Sequence, residues 1–161
     1  ELERQLKEID VVLCPVGGGG LISGVGGYLK NKNPEVKIIG CQPENSAVMY
    51  KSLKAGRILD IPSLPTISDG TAGGIEQGSI TFCLCKKFVD EFILVSEEEI
   101  KQAIQIVVEK HSLLIEGGAA LPVAAFLKTC SCFKGKNVIL IISGSRISSL
   151  KLAEILCGRE N

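Results

Sequence analysis

Apolar positions along this chain follow two alternating rhythms. Apolar runs at DVVLCPV (10–16) and KNVILIISG (136–144) read as buried strands, the first of them parallel, with further strands at VKIIGC (36–41) and, shorter, DEFILV (90–95). Between them the spacing is helical. GLISGVGGYLKNK (20–32) predicts a helix that NPE ends, and PENSAVMYKSLKAG (43–56) predicts one that opens on a proline and an acid and closes at Gly56. Helical spacing returns at TFCLCKKFV (81–89). In EEEIKQAIQIVVEKH (97–111) the residues Ile100, Ala103, Ile104, Val107 and Val108 make one stripe, and Ser96 with Glu99 predicts a capping box. EGGAALPVAAFLKTC (116–130) reads as a glycine-led helix and SLKLAEILCG (149–158) as a terminal one. ELERQLKEI (1–9) puts Leu2, Leu6 and Ile9 on one helical face without an N-cap, so the chain is expected to open inside a helix. The alternation predicts an α/β domain of three layers around a mostly parallel sheet.

Residues 57–80 break the rhythm. They are rich in Gly, Pro, Ser and Asp with no sustained period, which in a compact domain marks a functional or mobile segment. A second irregularity is PVGGGG, where a strand ends in four glycines and feeds a helix. Without Cβ atoms, several backbone N–H groups can converge on an anion at the positive end of the helix dipole. The alternative is a tight turn with close helix–sheet packing. The run matches neither GxxxxGK[ST] nor GxGxxG. With IEGGAA (115–120) and ISGSR (142–146), it supplies three loops that are expected to line one crevice at the carboxyl ends of the strands. Ser143 emerges there either to face a ligand or to cap a helix or turn.

Composition narrows the partners. The chain has 161 residues, 45% hydrophobic and 22% charged, and its 18 basic and 18 acidic side chains cancel. That balance, with 4% aromatics and no Trp, argues against nucleic acid or an anionic membrane as partner. No apolar stretch reaches the length of a membrane span. Seven cysteines include the pairs Cys83/Cys85 and Cys130/Cys132, neither followed at zinc-site spacing by a second pair or a histidine. They are expected to be reduced thiols serving as small hydrophobes, which fits a cytoplasmic protein.

The segments VGGGGLISG, ISDG ahead of VDEFILVSEEEI, IEGGAALPVAA and IISGS occur in order over essentially the whole chain. Together they resemble the pyridoxal-phosphate enzymes of the tryptophan-synthase-β group, fold type II, and specifically the serine/threonine dehydratase and serine racemase family. The resemblance implies that Gly17, Gly18, Gly19 and Gly20 donate backbone N–H bonds to the phosphate of pyridoxal 5'-phosphate, with Leu21 at the loop's edge. It implies that Ser143 faces the pyridine nitrogen and that Glu116 lies near the ring, although Glu116 also reads as a capping acid for the helix at Gly117. Two departures stand out. The family's closing SGGN is here Ser143-Gly144-Ser145-Arg146, and Pro65 holds the place where metal-activated members carry an acid. Asp69 remains the one candidate for a divalent cation, or else a turn aspartate before Gly70. His111, the only histidine, is not expected to be catalytic, because this family uses a Schiff-base lysine.

That lysine's segment, similar to S-x-K-x-R-G, has no match here. Residues 1–161 are therefore expected to be the C-terminal portion of the cofactor-binding large domain, with no catalytic residue of their own. The small domain and the lysine are expected in an N-terminal half, which is the implied partner along with an amino-acid substrate and, in the complete enzyme, further copies of itself. The implied activity is elimination of water from L-threonine or L-serine to give ammonia and a 2-oxo acid. A serine racemase is the near alternative, and a non-catalytic fragment or interaction module the distant one. A β-branched residue at Gly18 or Gly19 is expected to block phosphate with little loss of the sheet.

Overall fold

The computed structural model describes residues 6 and 8–158, so the helix expected over residues 1–9 falls largely outside the described residues. Glu8, Ile9 and Asp10 run without helical structure into the first strand. Among the described residues, four strands form one sheet: β1 (Val11–Pro15), β2 (Lys37–Pro43), β3 (Glu91–Val95) and β4 (Val138–Leu140). Their order is β3-β2-β1-β4 and every pair is parallel. Val12 stands opposite Ile38 on one side and Ile139 on the other.

Among the described residues, six helices cover the sheet: α1 (Gly20–Lys32), α2 (Val48–Ala55), α3 (Ile80–Phe88), α4 (Glu97–His111), α5 (Gly117–Thr129) and α6 (Ser149–Cys157). Strand side chains alternate between faces, and the core divides accordingly. Val11 and Leu13 of β1 pack with Ile39 and Cys41 against Ile100 and Ile104 of α4, Leu121 of α5 and Ile155 of α6. Val12 and Cys14 pack with Ile38 against Ile22 and Leu29 of α1, Met49 of α2 and Cys85 of α3. Because β1 is buried on both faces, it reads as a continuous apolar run and not an alternating one. The three-layer α/β expectation holds.

Several local expectations change. The helix over 43–56 begins only at Val48, after a 3-10 turn at Glu44–Ser46. The buried Gln42 causes the delay: its Nε2 donates to the Val16 carbonyl at 3.0 Å while its Oε1 accepts from Tyr50 N–H at 2.8 Å. A side chain from β2 thus satisfies the first turn of α2. The strand expected over 136–144 shrinks to three residues and is not fully buried. As an edge strand it pairs only with β1, and beyond Ile141 the chain turns away so that Gly144 accepts a bond from Glu116 N–H at 3.2 Å. The capping box forms as expected, with Glu99 N–H donating to Ser96 Oγ at 3.2 Å and Ser96 N–H to Glu99 Oε2 at 2.7 Å. Residues 57–80 are irregular apart from a 3-10 turn at Asp69–Thr71 and the start of α3. Cys14, Cys41 and Cys85 are buried, but Cys83, Cys130, Cys132 and Cys157 are exposed, so the small-hydrophobe reading covers only the first three. Among the described residues, no helix is long and apolar enough to cross a membrane.

Candidate functional site

The carboxyl end of β1 sets the site. Val16 N–H still bonds the Cys41 carbonyl at 3.0 Å, and then four glycines turn the chain into α1. Gly19 is the helix N-cap with φ +86°, a left-handed conformation open to glycine. A Cβ there would also lie 2.8 Å from both Cys85 Sγ and Met49 Cε. A Cβ on Gly17 would come within 3.0 Å of Thr71 Cα. Gly18 and Gly20 differ, since a Cβ on either meets nothing within 4 Å. The N–H groups of residues 17–22 donate no hydrogen bond to any described residue; the first helical bond of α1 is Ser23 N–H to Gly19 O at 3.0 Å. A row of unsatisfied donors at a helix N-terminus is a site for an anion.

Two other segments close a cavity of about 220 Å³ over this loop. The first is the Asp69–Thr71 turn, where Thr71 Oγ1 and Ser68 Oγ lie 2.6 Å apart and Ile67 N–H donates to Glu97 Oε2 at 2.7 Å. This segment can lie on α5 because position 117 is glycine; a Cβ there would collide with the Ile67 carbonyl. The second is the stretch after β4, which presents Ser143 at the cavity wall. All seven residues expected at the cofactor (Gly17, Gly18, Gly19, Gly20, Leu21, Glu116 and Ser143) line this one cavity. A larger hollow of about 390 Å³ lies at the opposite end of the sheet, between Asp10 and Leu29, and lacks such a row of glycine N–H groups.

Ser143 caps no helix. Ser148 caps α6 by accepting from Lys151 N–H at 3.2 Å, and the Ser143 hydroxyl makes no hydrogen bond to a described residue. Glu116 stands at the N-cap position of α5, and its side chain makes no capping hydrogen bond. Its Oε2 accepts from Arg146 N–H at 2.9 Å, bracing the turn that carries Ser143. A Cβ on Gly144 would lie 2.6 Å from Glu116 Oε1, which explains the glycine after the serine. Asp69 is exposed, accepts from Gly70 N–H and pairs with Lys151 Nζ at 3.2 Å. Among the described residues no three His, Cys, Asp or Glu side chains gather as a metal site. His111 lies in the last turn of α4.

Pro15, Gly70, Thr71 and Gly118 also line the cavity and were missed as site residues. The signal for Thr71 was its place directly after the Asp-Gly turn, inside the irregular segment. Burial, with Cys85 nearby, pushes the Cys14 thiol up to about 12, and burial pushes Cys41 well above its ordinary value.

The sequence model of the family described as "Pyridoxal-phosphate dependent enzyme" matches residues 1–144. The chain belongs to this family. An L-threonine ammonia-lyase of Thermotoga maritima is 46% identical over 147 residues, which is 91% of this chain and 36% of that protein. A catabolic L-threonine dehydratase of Staphylococcus aureus is 36% identical, over 97% of this chain and 46% of that one. Among solved structures, the processed form of threonine deaminase isoform 2 from Solanum lycopersicum superposes with a TM-score of 0.91 at 33% identity, covering 99% of this chain and 47% of that one. Serine racemase from Dictyostelium discoideum gives 0.82 at 36% identity, over 91% and 47%. The sheet and its helices are thus those of fold-type II pyridoxal-phosphate enzymes, and the chain spans about half or less of these relatives' length. The cavity fits the family's cofactor on its own terms. It offers free N–H donors for a phosphate, two positions where a Cβ would fill open space, and an unpartnered hydroxyl.

Proposed function

We propose that residues 1–161 form the cofactor-holding part of the large domain of a threonine/serine ammonia-lyase. The reaction removes the Cα proton and the Cβ hydroxyl of L-threonine or L-serine as water, and hydrolysis of the product gives ammonia and a 2-oxo acid. One observation carries the reading: free N–H groups of the glycine loop and the unpartnered Ser143 hydroxyl share one cavity at the carboxyl end of a parallel sheet. Bound pyridoxal phosphate supplies an electron sink for the charge left at Cα when its proton departs.

The chain's own residues bind and orient. The N–H groups of residues 17–21, backed by the α1 dipole, hold the phosphate. The neutral Ser143 hydroxyl would face the pyridine nitrogen of the bound group and leave it largely unprotonated. Glu116 keeps Ser143 in place through the Arg146 N–H and its packing on Gly144. Among the described residues no lysine lines the cavity, and on this reading the amine is supplied by an N-terminal half that completes the site. Asp69, paired with Lys151, is left with little to offer a divalent cation.

The test is the natural full-length protein containing this sequence, saturated with pyridoxal phosphate and given L-threonine or L-serine. The expected result is 2-oxo acid and ammonia in equal amounts; neither product from either substrate overturns the reading and favours a non-catalytic role. A second reading, serine racemisation, is favoured by neighbours that are serine racemases from Dictyostelium discoideum and maize. D-serine in excess of 2-oxo acid, in the same assay, would select it.

A further inference from the structure

Beneath the glycine loop lies a thiol that the chemistry above does not use. Cys85, on α3, is fully buried. Its Sγ stands 3.9 Å from the Gly19 carbonyl oxygen and 3.6 Å from the Ser23 hydroxyl. The same oxygen accepts from Ser23 N–H at 3.0 Å, so α1 and α3 hold one carbonyl between them. In a trans peptide the C=O and the N–H point in opposite directions. Fixing the Gly19 oxygen toward Ser23 and Cys85 therefore turns the Gly20 N–H the other way, away from the core and into the row of free donors that faces the cavity.

We propose that Cys85 is a positioning residue for the Gly19–Gly20 peptide and, through it, for phosphate binding. Its thiol accepts from Ser23 Oγ–H and donates to Gly19 O, and its bulk sets how deep the loop can sink. A Cβ at Gly19 would lie 2.8 Å from this sulfur, so thiol and loop are in direct contact. Burial raises the thiol's pKa, with the Ser23 bond acting against it, and at neutral pH the group keeps the proton it donates. The inference rests on the reading of the glycine loop as a phosphate cradle.

The test compares pyridoxal phosphate with pyridoxal, which lacks the phosphate, by titrating the natural full-length protein. Wild type is expected to prefer the phosphorylated ligand. C85A is expected to lose affinity for it by roughly three- to tenfold, with pyridoxal unchanged within about twofold. C85S, which keeps a donor and acceptor at the position, recovers most of the preference. S23A removes the hydroxyl partner but not the N–H, and is expected to cost roughly twofold in the same ligand alone. If C85A does not fold, S23A decides. An unchanged preference in the folded variant, or an equal loss for both ligands, assigns Cys85 to packing alone and overturns the proposal. If wild type itself shows no preference for the phosphate, the cradle reading fails first and this inference with it.

Discussion

Alanine scanning across the tetraglycine separates packing from binding, because the four positions meet different surroundings. At Gly18 a Cβ meets no protein atom within 4 Å and φ lies outside the left-handed region. Gly18→Ala should hold or raise stability, by about 0.4–1 kcal/mol from the lost freedom of the unfolded chain. The methyl then takes space at the row of free N–H groups. Displacing one charge-assisted bond to phosphate costs about 1.5–3 kcal/mol, or roughly 10- to 150-fold in affinity for pyridoxal phosphate. Gly20→Ala should behave alike. Gly19→Ala is the opposite case: left-handed strain of about 1–2 kcal/mol joins overpacking against Cys85 and Met49 of about 1–3 kcal/mol. It should lose about 2–5 kcal/mol of stability, which corrects the expectation that a side chain at Gly19 spares the sheet. Denaturant midpoints and absorbance titration with pyridoxal phosphate read the two quantities separately. Stable Gly18→Ala and Gly20→Ala proteins that bind the cofactor within twofold of wild type would refute the cradle.

Ser143→Ala in the active protein should leave the unfolding midpoint nearly unchanged, since the hydroxyl caps nothing, while Ser143→Asp shifts the cofactor's absorbance maximum and the ratio of elimination to side reactions. Equal spectra and ratios in both variants would remove Ser143 from the site. Gly144→Ala forces the Glu116 carboxylate off the turn and should weaken cofactor binding at least several-fold with a modest change in stability; calorimetric titration checks it. Glu99 sits below its ordinary value of 4.5, because burial, which pushes it up, is outweighed by the Ser96 N–H and by Lys128. A depressed carboxylate contributes stability that is full above the unfolded value and is lost as pH falls through the folded one. Glu99→Gln should therefore be less stable near neutrality and show a flatter acid limb below about pH 4.5 in denaturant titrations.

Most of the fold was legible because the sheet is parallel and covered on both faces. Residues 11–15 and 38–41 are buried throughout, so they appear as plain apolar runs, and α4 carries its stripe and its capping box openly. The misreadings sit where a distant group intervenes. Nothing near residues 43–47 says that the side chain of Gln42 will serve as the cap of α2, since the bond joins a strand residue to a helix that follows a turn. The apolar run KNVILIISG predicts a fully buried strand, but apolarity does not show that, among the described residues, β4 pairs with β1 alone. Four of the seven cysteines are exposed because they fall on outer faces of α3 and α6 or in the 3-10 turn after α5, where the sequence offers the same residue type and no hint of direction.

The site was legible for a different reason. Glycine is informative where no other residue works, and here the sequence gathers such positions from three segments that meet only in the folded chain. Gly17 allows Thr71 to approach, Gly117 allows the Ile67 carbonyl, and Gly144 allows the Glu116 carboxylate. Each removes a side chain so that one wall of the cavity can lie against another, and each is explained by protein contacts alone. Gly18 and Gly20 have no such explanation, for the protein leaves open space beside both. Read along the chain, the four glycines are indistinguishable; only the surroundings separate the two that the fold requires from the two that it does not. Open space beside a glycine is not enough by itself, since Gly24 and Gly74 also leave a Cβ free, but Gly18 and Gly20 line the cavity. The free N–H groups beside them point to an anion.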